Sequence, residues 1–137
     1  MRAPLLLLVL LLLAPACLWR SYADVMRVHL DVLSGMVEKA SYNAESGQRP
    51  TSNDVTELTY PLQRARQFAY QYRTYAERES YTLFVAALDR YQALSEAIDA
   101  ARGDAARWSE ERSRLAAQCA AWRAAAERVR AALAHES

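Results

Sequence analysis

The side chains best suited to chemistry are few in this chain: two histidines, His29 and His135, two cysteines, Cys17 and Cys119, and 16 carboxylates set among 17 lysines and arginines. A metal centre needs three or four His, Cys, Asp or Glu ligands at matching spacing, and neither histidine has such neighbours, so no metal is expected. Nucleophilic catalysis needs a Ser, Thr or Cys beside a base that a third group orients, and no such set stands close together. A glycine-rich phosphate loop and an H-E-x-x-H helix are likewise missing. The acids mostly alternate with arginines, as in Glu77-Arg78-Glu79 and Glu110-Glu111-Arg112, which is the pattern of solvated helix faces. No catalytic residue and no cofactor are expected, and the chain reads as non-enzymatic. Cys119 falls on an apolar seam, where a small buried hydrophobe is the simpler role.

The elements that would position these residues are helices. Three glycines and four prolines are few for 137 residues, Ala, Leu, Arg, Glu and Gln are plentiful, and no run of alternating β-branched residues predicts a strand. Ala23, Met26, Leu30, Leu33, Val37, Ala40 and Ala44 recur in steps of three and four, predicting a first helix over about 20–46 that stops at Ser46-Gly47. After the loop at 48–53, Asp54 and Glu57 form a capping pair for a short turn, and Pro61 suits the first turn of a second helix. That helix reads as continuous over about 61–102, with one weak point in its period at Glu79-Ser80. Gly103-Asp104 then stops and restarts the chain. The third helix, about 105–134, carries Trp108, Leu115, Trp122 and Val129 at sevens, with Cys119, Ala126 and Leu133 between them, a heptad seam. Folding about Gly103 sets Ile98 near Trp108, Tyr91 near Leu115 and Phe84 near Trp122. The expected fold is all-α, an elongated antiparallel three-helix bundle or coiled-coil hairpin in a single domain over 17–137.

The first residues decide the compartment. Arg2 is a short basic region, Leu5 to Leu13 an apolar run, and Ala14-Pro15-Ala16 a small-x-small site, so residues 1–16 read as a signal peptide. Cys17 follows that site directly, and residues 1–17 resemble a bacterial lipoprotein signal, departing from its usual pattern at Ala14 and Pro15. The resemblance implies cleavage before Cys17, lipid attachment to Cys17 and, with Leu18 next, residence at the outer membrane facing the periplasm. Two alternatives stay open: cleavage without lipid, giving a periplasmic or secreted protein in which Cys17 could pair with Cys119, and a leader retained as an anchor.

Of the 17 basic side chains only Arg2 lies in residues 1–16, which hold no acid, so 16 bases face 16 acids in the remaining chain. Nucleic acid is not expected as a partner, because phosphate binding draws on clustered basic excess. Six of the eight tyrosines lie between Tyr60 and Tyr91, and Phe68, Tyr75 and Tyr81 fall off the main stripe of the second helix, so these three are the expected partner-binding residues. Met26 and His135 are loosely similar to the haem ligands of a soluble b-type cytochrome bundle, though no C-x-x-C-H is present. The sequence therefore predicts an exported, lipid-anchored assembly or scaffolding protein of the bacterial envelope, acting through contacts with other envelope proteins. The alternatives are a bundle binding haem or a small apolar ligand, and a signal-anchored periplasmic coiled coil; a homo-oligomer stays open.

Overall fold

The computed structural model describes residues 3–136, and side chains over 21–136. The side chains of the predicted signal peptide, residues 1–16, and of Cys17 lie outside what the structure describes. Within them the chain is all-helical: α1 (Ala3–Glu45), α2 (Ser52–Gln71), a 3-10 turn (Arg73–Tyr75), α3 (Glu79–Ala101) and α4 (Ala105–Glu136). The first helix is thus continuous from Ala3 and does not begin near 20.

Four helices replace the expected three. The second predicted helix divides at 72–78, next to the weak point at Glu79-Ser80, although neither glycine nor proline stands there. Packing supplies the reason. A 40-residue rod would carry two opposed apolar faces, and a single hairpin partner can cover only one of them. By turning at 72–78 the chain lets Phe84 and Leu88 of α3 face α2, and Phe84 meets Phe68 edge-to-face at 5.7 Å.

The turn is held by side chains. The ring of Tyr75 stacks on Tyr22 at 4.4 Å. Arg78, which precedes α3, makes no side-chain cap, and the α3 backbone N–H of Ser80 donates instead to the Glu136 carboxylate at 2.9 Å. At its other start α2 is capped locally: Thr51 and Asp54 exchange side-chain and backbone bonds in a capping box. Pro61 therefore lies inside α2, not in a first turn.

Each helix packs on the next, and α4 returns to α1, closing an up-down-up-down ring. Lys39–Glu57 links α1 to α2, Arg66–Asp89 links α2 to α3, and Arg123–Glu38 with Arg130–Asp31 link α4 to α1. The heptad seam of α4 is buried throughout, from Trp108 to Leu133. Its register against α3 differs from the expected one. Tyr91 meets Trp122 edge-to-face at 5.5 Å, where Leu115 was expected. Helical side chains lean toward their own N-terminus, so on α3 they lean away from the Gly103 turn and on α4 toward it. Counting residues from the turn misses that opposed lean.

Candidate functional site

Phe68, Tyr75 and Tyr81 are not a surface zone. Phe68 is 4% exposed, and Tyr75 and Tyr81 are half-buried against the core. They belong to an aromatic cluster at the end of the bundle where α1 emerges beside the 72–78 turn. Phe68 lies 4.7 Å from Tyr72 and 6.1 Å from Tyr22, and Tyr81 donates its hydroxyl to the Ala69 carbonyl at 2.7 Å. The expectation failed because it assumed one straight helix with a free side. Once the helix divides, the residues off the α4-facing stripe become the residues facing α2 or α1.

A polar relay runs through this cluster. Ser80 is fully buried, donates to Glu136 at 2.7 Å and stands 2.9 Å from the hydroxyl of Tyr22, which is left as the donor of that bond. Burial pushes the Tyr22 hydroxyl up to about 12, the Ser80 bond opposing the shift and the Glu136 charge adding to it. A buried serine flanked by a tyrosine and a carboxylate fastens the start of α3 and the end of α4 to the side of α1; its oxygen meets no solvent from which a substrate could arrive. On the α1–α2 side, His29 packs 5.0 Å from Phe68, and burial, helped by Arg64, holds its imidazole below the ordinary value of 6.5. Met26 lies in the core while His135 is exposed in the last turn of α4. Among the described residues no group of three His, Cys, Asp or Glu side chains could hold a metal ion. Cys119 is a free, buried thiol raised by its burial.

The surface carries a different feature. Five large apolar side chains are well exposed among the described residues, and three of them, Val28, Val32 and Tyr42, lie on one line of α1. Steps of four, three, four and three join Val28, Val32, Gly35, Lys39 and Tyr42, so the line runs down the helix side opposite Leu30, Leu33 and Val37. Gly35 has open space where a Cβ would point. Lys39, the one charge in the line, reaches across to Glu57 on α2 at 2.7 Å. The flanking acids Asp31 and Glu38 are drawn to α4 by Arg130 and Arg123, and the Arg123 bond holds the Glu38 carboxyl below its usual range. The outward line therefore presents valine, glycine and tyrosine with its neighbouring charges turned aside. Sequence reading treated the first helix as having one apolar stripe; the second was legible as Val28, Val32 and Tyr42 at helical spacing.

The fold and this surface define an antiparallel four-helix bundle with an exposed apolar helix face. A comparison with protein families, curated proteins and solved structures gives no match for this chain. Over residues 21–136 no helix is long and apolar enough to cross a membrane.

Proposed function

We propose that the protein is an exported assembly module of the bacterial envelope, anchored through a lipid on Cys17, whose outward α1 face receives an amphipathic helix of another envelope protein. The observation that carries the reading is the line of Val28, Val32 and Tyr42, exposed on a bundle that has already buried its other apolar stripes. Single exposed hydrophobics are ordinary, but a row of them at helical spacing marks a contact surface. Gly35 at the middle of the row favours a helix as the partner, since a residue without a side chain lets a second backbone come close. The export signal and the Cys17 junction support the anchor.

One cellular experiment with two arms tests the reading. Replacing Val28, Val32 and Tyr42 together by Gln should leave the protein in membranes with unchanged melting, because exposed substitutions shift stability by only about 0.5 kcal/mol each, while its partner no longer co-purifies. Cys17→Ser should do the reverse at the membrane, releasing the protein or stalling its processing. Retention of every partner by the triple variant contradicts the interface, and unchanged membrane retention of Cys17→Ser contradicts the anchor.

A further inference from the structure

We propose that a cleft between α1 and α2, beside the loop at 46–51, binds a small uncharged aliphatic molecule carrying one hydrogen-bond acceptor, with the acceptor seated against the indole N–H of Trp108. The walls come from all four helices: Met36 and Ala40 of α1, Leu58 of α2, Ile98 of α3 and Trp108 of α4. Trp108 is 95% buried by its 5% exposure, and its indole nitrogen has no acceptor among the described residues. A buried donor left unpaired bears the full cost of its desolvation, so a ligand that brings an acceptor recovers that cost while one without it does not.

Size and charge narrow the ligand further. The cleft holds about 370 Å³ of space between atoms, part of it open to solvent, and a water-sized sphere can move through about 30 Å³ of it. That admits a small polar group such as a carbonyl or hydroxyl, with a short hydrocarbon tail toward the open side. At the rim Lys39 is already paired with Glu57 at 2.7 Å, and Asp54 accepts the Thr51 backbone N–H at 2.8 Å, which holds its carboxyl low. One cation against two carboxylates leaves the rim negative, which disfavours an anionic ligand such as a fatty acid. The Lys39–Glu57 pair spans the two helices that form the mouth, and both partners are about half exposed, so opening the cleft breaks only a weak, salt-screened contact. The inference stands apart from the α1 outward face and does not depend on it.

The test is a titration of the purified full-length protein with 2-hexanone, hexanoate and hexane, followed through the tryptophan indole ¹H–¹⁵N resonances. Saturable movement of one indole proton by 2-hexanone is expected, with hexanoate and hexane binding at least tenfold more weakly. Trp108→Phe should remove that resonance and weaken 2-hexanone binding about tenfold, the scale of one hydrogen bond to an otherwise unpaired donor. Ala40→Leu, which fills the cleft and leaves the indole in place, should abolish binding with melting preserved. Overturning results are indole resonances that none of the three compounds moves, equal binding of all three, Trp108→Phe binding as wild type, or Ala40→Leu binding as wild type, which keeps the proposal testable if Trp108→Phe fails to fold.

Discussion

Phe68 shows how one side chain decides between a surface and a core. It touches Tyr22, Tyr72, His29 and Phe84, one or more from each of α1, the 72–78 turn and α3. Phe68→Ala should therefore lower stability by roughly 3 to 5 kcal/mol, the usual cost of deleting a buried large aromatic; thermal or urea unfolding checks it, and melting close to wild type would return Phe68 to the surface. His29 beside it gives the pH dependence. Its folded pKa lies below the ordinary 6.5, so between pH 7 and the folded value the unfolded chain binds more protons, and stability falls as pH falls through that window. His29→Gln should flatten the loss of stability measured between pH 7 and pH 5.5, and an unchanged slope would mean that the imidazole titrates freely in the folded protein.

At the scale of elements, the ends of helices do more than their interiors to set this fold. Gly47, at φ +80°, ends α1 in a conformation that costs other residues strain, and Arg112 of α4 donates to the Ala44 carbonyl at 2.7 Å to finish the same helix end. Thr51 starts α2, so Thr51→Ala should cost about 1 kcal/mol in equilibrium unfolding, as loss of a capping side chain commonly does; an unchanged midpoint would show that Asp54 alone holds the turn. Gly47 and Gly103 with Asp104 are local signals, and the breaks that they mark are legible in the sequence; the start of α2 is not read correctly there, since Asp54 is paired with Glu57 in place of Thr51 and the helix is begun at Pro61. The buried faces of α1 and α4 are legible, because a stripe repeating at three and four residues is a local pattern too. The break at 72–78 is not. What makes it is Tyr75 stacked on Tyr22, more than 50 residues away in the chain, and Glu136 capping α3 from the far end of α4. Contacts of that range have no spacing to read. The interface candidates Phe68, Tyr75 and Tyr81 were misplaced for the same reason, and the loss of one straight helix moved all three inward together.

In the whole molecule, α4 touches α3 on one side and α1 on the other, which explains why Ala125 and Ala132 are buried beside its heptad seam. Small residues there let α4 lie close to both neighbours, while exposed ion pairs such as Arg123–Glu38 add orientation more than stability. A ring closed in this way covers the inward face of every helix and leaves α1 with an outward line of Val28, Val32, Gly35 and Tyr42 that none of the described residues covers. We propose that another envelope protein covers it. Photo-crosslinking in living cells, with the photoreactive residue at Val32 and, as a control, at Arg90 on the exposed side of α3, tests this. One defined adduct is expected from Val32, its cross-linked peptide mapping to an apolar helical segment of a different envelope protein, and none from Arg90. Adducts with a second copy of this chain alone, the same adducts from both positions, or no adduct from Val32 would contradict it.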